Sequence, residues 1–362
     1  MQLSGIRPYG WFGAFLVMLY GIPVWAYQAI HCLLQFQRKP AYKTSSLSMR
    51  PVGAAVEHPV GTNPDISNWS HETLLISSSQ RIHIVSPKRK PTKQLILFVH
   101  GFPECWYSWR HQMEEFKDDY DTVAMDMRGY NLSDIPEGVD SYSLDKLISD
   151  IPALVRALGH TSCTLVAHDW GGVVAWLVAA GYPEIVERLV VMAAPHLGLS
   201  QTNISIAQAL KSWYMIFFQM PYLPELVLQR KDCDFLRMSF RDGPMGVVNK
   251  HRITDEDIQI FKNSFKRPGA ITAAINYYRA LLRHMTIRPI SSVWSCMRRR
   301  IEVPVLLLWG KRDGALGVEL IYNIKEVAPK VETEMLDCSH WVQQDEPDEV
   351  NSLMRKFLEK QD

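Results

Sequence analysis

From Trp69 onward, short apolar runs alternate with stretches long enough to form helices. The apolar runs read TLLIS, RIHIVS, LILFVH, TVAMDM, TLVAH, RLVVMAA, VPVLLLWG and VETEML. A few residues separate the first two runs, which predicts a β-hairpin, whereas helix-length segments such as 145–158 and 171–180 separate most of the later ones. Buried strands that alternate with helices favour a mostly parallel sheet with helices on both faces. We therefore predict an α/β fold with an eight-stranded sheet.

Residues 199–300 interrupt this alternation. The segment is rich in aromatic residues and helix formers, contains no obvious strand, and ends where the alternation resumes at Ile301. This pattern predicts a helical lid inserted before the last strands. The α/β core then comprises residues 69–198 and 301–362, and residues 41–68, which are rich in Ser, Pro and Gly, are expected to form a linker.

The N-terminal segment contains a long uncharged stretch. Residues 11–34 contain no Asp, Glu, Lys or Arg. Since about 20 apolar residues suffice to span a bilayer as a helix, we expect residues 1–40 to be a single-pass membrane anchor. The stretch 24–26 is also compatible with the cleavage site of a signal peptide, and that alternative stays open. Arg38 and Lys39 follow the apolar stretch, and the positive-inside tendency then places the catalytic part of the chain in the cytoplasm.

The bulk composition narrows the classes of function. A net charge of +1 with 21% charged residues gives no concentrated basic surface, so nucleic acid is not expected as a partner. The six cysteines are widely spread, without metal-ligand spacing or the density of a disulfide framework, and we expect them to be free thiols. The sequence predicts neither a metal nor an organic cofactor.

The stretch LVAHDWGGVVAW (165–176) places a carboxylate, Asp169, between an apolar strand and a buried helix. In open α/β sheets ligands bind beyond the carboxyl ends of the strands, and a strand followed at once by small residues and a helix predicts a nucleophile elbow. Esterases have Ser at this position. The carboxylate of Asp169 is ionised at neutral pH and can attack an electrophilic carbon without activation by a base. The alternative is that Asp169 only caps the helix that begins at Trp170.

A second loop at the carboxyl edge of the predicted sheet is HGFP (100–103), which directly follows a strand. It resembles the loop of α/β-hydrolases whose backbone N–H helps to form the oxyanion hole. On that basis the backbone N–H groups of Phe102 and Trp170 are the two expected oxyanion donors.

Two more polar residues, Asp313 and His340, follow later strands. The chain order Asp169, Asp313, His340 is the nucleophile, acid, histidine order of the α/β-hydrolase fold. Taken singly, Asp313 is compatible with a turn and His340 with a surface position, and Asp337 is a rival partner for His340. The coincidence of several such residues at strand ends, in this order, predicts an active site.

From about Trp69 to the C-terminus, the chain resembles the epoxide hydrolases of the α/β-hydrolase fold. The motifs that carry the resemblance are HGFPECWYSWR, MDMRGYNLSD, HDWGG, LLLWGKRD and SHWVQQDEP. The best match is the membrane-anchored branch that includes epoxide hydrolases 3 and 4. Together these motifs are specific to hydrolases with an Asp nucleophile, a group that also includes haloalkane and haloacetate dehalogenases. At Asn131 the family usually has glycine, and Asn keeps the turn because it tolerates left-handed conformations.

The resemblance implies two lid tyrosines that donate hydrogen bonds to the epoxide oxygen. SWYMIFFQMPY matches the first tyrosine segment and assigns this role to Tyr214; INYYRALLRH matches the second and assigns it to Tyr278, with Tyr277 as the less favoured neighbour. Tyrosines in an aromatic-rich lid are also compatible with plain packing. A dehalogenase would instead need halide donors, and Trp170 with Trp213 fit that role.

The resemblance further implies a covalent mechanism in which Asp169 is the nucleophile and His340, oriented by Asp313, activates water. Trp170, Trp213 and Phe217 are expected to contact a small lipophilic epoxide, with epoxy fatty acids as the preferred class. The membrane is expected to be the endoplasmic reticulum. One alternative from another class is a non-catalytic binding protein built on the hydrolase fold, although none of the expected catalytic positions is missing here.

Overall fold

The computed structural model describes residues 64–360 and confirms the eight-stranded, mostly parallel sheet. The strands are β1 Ser70–Ser77, β2 Gln80–Ser86, β3 Leu95–Val99, β4 Asp121–Met125, β5 Cys163–His168, β6 Val186–Met192, β7 Val305–Gly310 and β8 Val331–Leu336. Their spatial order is β1-β2-β4-β3-β5-β6-β7-β8. The hairpin β1–β2 and the pair β2–β4 are antiparallel, and the other neighbours are parallel.

Fourteen α-helices accompany the sheet in the described part of the chain. They are α1 Arg110–Phe116, α2 Leu144–Ala157, α3 Asp169–Gly181, α4 Leu197–Asn203, α5 Ile206–Lys211, α6 Trp213–Phe217, α7 Leu223–Cys233, α8 Phe235–Arg237, α9 Asp255–Ser264, α10 Ala270–Thr286, α11 Ser291–Met297, α12 Ile324–Val327, α13 Val342–Asp345 and α14 Pro347–Leu358. Two of them, α2 and α3, occupy the predicted helical segments 145–158 and 171–180 to within two residues.

The burial of each strand follows from its place in the sheet. Every residue of β3, β5 and β7 is buried, as expected for central parallel strands with both faces covered. The edge strand β1 instead has no fully buried residue and largely alternates between exposed and half-buried positions. The continuous apolar runs therefore mark the interior of the sheet, and the carboxyl ends of its central strands meet along one edge.

Between β6 and β7 the chain forms helices α4 to α11 and, within residues 193–304, no strand. We call residues 193–304 the insertion. Helix α7 is interrupted by non-helical backbone at residues 230–232, where Lys231 and Asp232 adopt φ values of 49° and 54°. The insertion is thus a series of short helices with one long member, α10, which spans 17 residues.

The predicted membrane anchor (1–40) and most of the predicted linker (41–68) lie outside the described residues. Within residues 64–360, no helix combines the length and the apolar character that crossing a bilayer requires. In the same part of the chain, five cysteines are free thiols: Cys105, Cys163, Cys233, Cys296 and Cys338.

Candidate active site

Asp169 lies on a sharp turn between β5 and α3. Its φ of 47° is in the left-handed region, which non-glycine residues rarely adopt. The turn is possible because Gly171 passes close to the neighbouring strand: a Cβ atom at Gly171 would lie 2.3 Å from the carbonyl oxygen of Val99. The Asp169 side chain is 17% exposed, whereas its neighbours in the site are nearly inaccessible. The geometry is that of a nucleophile elbow.

The loop after β3 holds one oxygen of this carboxylate. The backbone N–H of Phe102 donates a hydrogen bond of 2.8 Å to Asp169 Oδ1, so the carboxylate binds the facing loop and does not serve as a cap for α3. Gly101 permits this approach, since a Cβ atom there would lie 2.5 Å from the Asp169 side chain. One of the two expected oxyanion donors therefore already contacts the carboxylate. The contribution of the Trp170 N–H stays a prediction.

His340 faces the other carboxylate oxygen, with its Nε2 atom 3.6 Å from Asp169 Oδ2. On the far side of the ring, Nδ1 lies 2.8 Å from Asp313 Oδ2. The second oxygen of Asp313 accepts the backbone N–H groups of Ala315 and Leu316, both at 2.7 Å, which fixes the carboxylate in place. The structure thus brings together the three residues that the chain order suggested.

The rival partner of His340, Asp337, points elsewhere. Its carboxylate forms a bidentate ion pair with Arg312 at 2.6 and 2.7 Å and is 63% exposed. Sequence proximity therefore does not decide which acid orients the imidazole.

The electrostatics of the site keep His340 protonated at neutral pH. Burial alone would lower its pKa, but the negative charges of Asp313 and Asp169 outweigh burial and raise the pKa to about 10. In the resting site an imidazolium consequently lies between two carboxylates. Removal of either negative charge would lower the pKa of His340.

Tyr214 and Tyr278 approach the site from the insertion. Their rings meet edge to face with centroids 5.7 Å apart, and the Tyr278 ring also contacts Trp170 at 5.0 Å and Phe102 at 5.4 Å. Burial and the charge of Asp169 raise the pKa of Tyr214 above its ordinary value. Burial, together with the neighbouring Tyr214 and the charge of Asp169, likewise raises the pKa of Tyr278. Both hydroxyls thus remain protonated donors.

The less favoured neighbour, Tyr277, is turned away from the reacting carboxylate. Its hydroxyl donates to the backbone carbonyl of Arg128 at 2.7 Å. Trp213 and Phe217 pack against each other on α6 with ring centroids 5.8 Å apart. Both rings are half-buried, and their contact with substrate stays a prediction.

A buried ion pair behind the site was missed by the sequence analysis. Glu104 Oε2 lies 2.7 Å from His168 Nδ1 and accepts the Gly101 N–H, and its other oxygen accepts the side-chain amides of Gln343 and Gln344. Burial alone would raise the pKa of Glu104, but the charge and hydrogen bond of His168 lower it to about 2. The charged residue inside the apolar motif HGFPECW was the available signal.

The pair connects the three loops that carry the site. His168 Nε2 lies 2.9 Å from the backbone carbonyl of His340, so both ring nitrogens of His168 face acceptors. The oxyanion loop, the elbow and the segment of His340 are thereby held against one another by a fully buried network.

Metal ligands do not cluster in the described part of the chain. Between residues 64 and 360, no group of three or more His, Cys, Asp or Glu side chains is arranged to hold a metal ion. The groups that carry chemistry at the elbow are the carboxylates, the imidazole, the phenols and the backbone amides described above.

Comparison with known proteins identifies the family. The protein-family model described as the alpha/beta hydrolase fold matches residues 94–347 of this chain. Epoxide hydrolase 1 of Caenorhabditis elegans is 41% identical over 288 residues, covering 77% of this chain and 68% of that protein. Human epoxide hydrolase 4 is 38% identical over 316 residues, covering 85% of this chain and 84% of that protein.

Solved structures agree with these relatives. An epoxide hydrolase from Bacillus megaterium, in complex with an inhibitor, superposes with a TM-score of 0.69 at 33% identity and covers 80% of this chain and all of that one. Both the fold and the resemblance that the motifs suggested are thereby confirmed. The chain belongs to the epoxide hydrolases of the α/β-hydrolase fold.

Proposed function

We propose that this protein hydrolyses lipophilic epoxides, in particular epoxy fatty acids, to vicinal diols through a covalent ester on Asp169. One observation carries the proposal: the two oxygens of a single carboxylate have different partners. Oδ1 accepts the Phe102 N–H at 2.8 Å, and Oδ2 faces His340 Nε2 at 3.6 Å. A carboxylate held in this way has one oxygen in an oxyanion site and one directed at the reacting groups.

In the first half-reaction, Asp169 Oδ2 attacks an epoxide carbon and the carbon–oxygen bond of the ring breaks. The hydroxyls of Tyr214 and Tyr278 hold the departing oxygen and deliver the proton that it needs. Their raised pKa values favour donation over ionisation, so they act as neutral donors. The product is a hydroxyalkyl ester in which Oδ1 is the carbonyl oxygen.

In the second half-reaction, His340 removes a proton from water, and the resulting hydroxide attacks the carboxyl carbon of the ester. The negative charge that develops on Oδ1 is stabilised by the Phe102 N–H, which already donates to that atom. The Oδ2–carbonyl bond then breaks and the leaving oxygen takes the proton of the newly formed carboxyl group, so the diol leaves and Asp169 is regenerated as a carboxylate beside protonated His340. The proton that resting His340 loses once the ester has formed restores the tyrosine that donated one. Asp313 stabilises the imidazolium that His340 becomes.

The pair of tyrosines favours an epoxide over an alkyl halide as substrate. A strained ether oxygen requires a proton donor, whereas a halide leaves as an anion and requires only weak N–H donors. The ring centroids of Tyr214 and Tyr278 lie 5.7 Å apart, and the charge of Asp169 helps to raise the pKa of both hydroxyls. The relatives compared above are likewise epoxide hydrolases.

The deciding experiment is a single turnover of an epoxy fatty acid in water enriched in oxygen-18, followed by mass spectrometry of the diol and of the peptide that contains Asp169. We expect an unlabelled diol and a labelled peptide, since the water oxygen enters the carboxyl group. A diol labelled in the first turnover with an unlabelled peptide would mean direct hydration and would overturn the role of Asp169. If no diol forms, the release of halide from haloalkanes is the next measurement.

The same proposal includes an N-terminal membrane anchor, with the catalytic domain on the cytoplasmic side of the endoplasmic reticulum. The support is the uncharged stretch 11–34 and the basic residues that follow it. A lipophilic substrate that partitions into lipid suits an enzyme tethered there. Full-length protein should remain in the membrane pellet after alkaline carbonate extraction, and the core should be accessible to protease added from the cytoplasmic side. Protein released by carbonate, or protected from the protease, would contradict this location.

A further inference from the structure

Helix α10 carries two consecutive tyrosines whose surroundings differ completely. Successive residues on an α-helix are about 100° apart, so Tyr277 and Tyr278 face different neighbours. Tyr278 contacts Phe102, Trp170 and Tyr214 beside the reacting carboxylate. Tyr277 is directed into the core instead.

Tyr277 is fully inaccessible to solvent, and its hydroxyl donates a hydrogen bond of 2.7 Å to the backbone carbonyl of Arg128. Its ring contacts Trp170 and Tyr130 edge to face, with centroids 5.5 and 5.4 Å away. Burial raises its pKa well above the ordinary value, so the hydroxyl stays a donor. An unpaired hydroxyl at this depth would cost free energy, so the hydrogen bond to Arg128 ties the Tyr277 side chain to a defined point of the core.

The acceptor of this hydrogen bond lies on a rigid loop. The Arg128 side chain forms a bidentate ion pair with Asp150 at 2.6 and 2.7 Å and also donates to the carbonyl of Ser141 at 2.8 Å. Both charged side chains are less than 10% exposed. Because the side chain of Arg128 is fixed at both ends of its guanidinium, its backbone carbonyl is a fixed point of the core.

The residue on the other side of Tyr278 connects α10 to the segment that follows Tyr214. The Arg279 side chain donates to the carbonyl oxygens of Phe218 and Met220 at 2.9 and 2.8 Å and pairs with Glu225 at 2.7 Å. Arg279 therefore sets the position of Tyr278 relative to Tyr214 within the insertion. The hydrogen bond of Tyr277 sets it relative to the core, where Asp169 lies.

We propose that Tyr277 is a positioning residue for the reaction: its hydrogen bond to Arg128 fixes the distance between the Tyr278 hydroxyl and the Asp169 carboxylate. This inference rests on the proposed function, because it assigns to Tyr277 the placement of the group that holds the epoxide oxygen. Without the hydrogen bond, α10 and Tyr214 would shift together relative to Asp169. The step that suffers is ester formation, in which nucleophile and proton donor act on the same ring at once.

The test compares Tyr277→Phe with Tyr142→Phe, each combined with His340→Gln so that the ester accumulates. Tyr142 is a matched control, since it is buried in the same cluster and its hydroxyl also donates to a backbone carbonyl, that of Pro136, at 2.7 Å. We expect the rate of ester formation at saturating epoxide to fall about tenfold or more in Tyr277→Phe, with little change in half-saturation, and to stay within about twofold in Tyr142→Phe. An unchanged rate in Tyr277→Phe, or an equal loss in both variants, would overturn the proposal.

A second measurement separates this inference from the proposed function. If His340→Gln alone forms no ester with any epoxide, the covalent mechanism fails whatever Tyr277 does. Hydrogen exchange then judges the positioning role without turnover: amides of residues 274–280 should exchange at least about tenfold faster in Tyr277→Phe than in Tyr142→Phe. Equal exchange in the two variants would show that the hydrogen bond does not hold α10 in place.

Discussion

His340 is protonated in the resting site, yet it must be neutral to remove a proton from water. The two states are reconciled by the chemistry at Asp169, because ester formation removes one of the two carboxylates that raise the pKa of His340 to about 10. In the ester, the pKa of His340 therefore falls and the imidazole becomes an available base. Ester formation at Asp169 thus also converts His340 into the base that the second half-reaction requires.

This coupling predicts different pH profiles for the two half-reactions. The decay of the ester should rise with pH and level off at an apparent pKa well below 10, because it needs neutral His340. Ester formation should show no titration at that pKa, because His340 transfers no proton in that step. Rapid-quench mass spectrometry of the ester between pH 6 and 10.5 measures both. Two steps that titrate with the same pKa would argue against the coupling.

Glu104→Gln tests the buried ion pair behind the site. The substitution keeps the shape of the side chain but leaves the imidazole of His168 without a negative partner in the interior. Breaking a buried pair in this way costs roughly 3–5 kcal/mol of unfolding free energy, and we expect turnover to fall as well, since the pair holds the loops of Phe102 and His340. The stability of the two proteins is compared by urea unfolding at pH 7.

The matched control is Glu114→Gln, which removes a surface pair with Lys117 whose side chains are 38% and 33% exposed. Glu114→Gln should lower the free energy of unfolding by less than about 1 kcal/mol. The pKa of Glu104 is depressed on folding, so its contribution is present above the unfolded pKa of about 4.5 and is lost as pH falls toward 2. A Glu104→Gln variant as stable as the control, or equally destabilised at pH 7 and pH 3, would contradict this role of the pair.

At the level of elements, the elbow depends on how closely the turn before α3 approaches the loop after β3. Gly101→Ala would place a Cβ atom 2.5 Å from the Asp169 side chain, so the carboxylate must move away from the Phe102 N–H. We expect turnover to fall by about a hundredfold, since an error of about 1 Å at reacting atoms costs that much. The rate of ester formation is the measurement.

Gly138→Ala provides the comparison for Gly101→Ala. Gly138 also has a constrained backbone, with φ of 80°, but a Cβ atom there would meet nothing within 4 Å. We expect Gly138→Ala to lower the free energy of unfolding by about 1 kcal/mol and to leave turnover unchanged. If both alanine variants turn over at the wild-type rate, the close approach at Gly101 does not define the position of the nucleophile.

The elements that could be predicted from the sequence are those that local patterns control. The central strands β3, β5 and β7 were predictable because continuous apolar runs of this length, bounded by turns, are typical of buried strands, and the elbow was predictable because Gly171 and Gly172 follow Asp169. The break in α7 at residues 230–232 and the partners of Glu104 were not predictable. Glu104 meets His168 and Gln343 across 64 and 239 residues, and no local pattern carries such contacts.

At the level of the whole molecule, the sheet order assembles motifs that are far apart in the chain. Strands β3 and β5 are neighbours, which brings the loop of Phe102 against the elbow, and β7 and β8 are neighbours, which brings Asp313 against His340. The insertion then adds Tyr214 and Tyr278 from above the carboxyl edge. A site of this kind requires many buried polar groups, and burial makes the stability of the molecule depend on pH.

His196 shows this dependence in its simplest form. Both of its ring nitrogens are buried and have no hydrogen-bond partner, and burial lowers its pKa to about 4. Since the unfolded chain binds a proton near pH 6.5 and the folded chain does not, the neutral ring supports folding above pH 6.5, and that support is lost as pH falls toward 4. Between pH 7 and pH 5, His196 alone should lower the free energy of unfolding by about 2 kcal/mol.

His196→Phe should remove that loss, because it keeps an aromatic ring and discards the proton. Urea unfolding of the full-length protein at pH 7 and pH 5 should show the variant losing about 2 kcal/mol less than the wild type, while His251→Phe, at an exposed position, should behave like the wild type. Burial also lowers the pKa values of His100, which is buried, and of His111, which is half-buried, so the variant should keep part of its sensitivity to acid. Equal losses in all three proteins would mean that His196 already meets a proton donor or acceptor in the folded state, and that the acid sensitivity arises elsewhere.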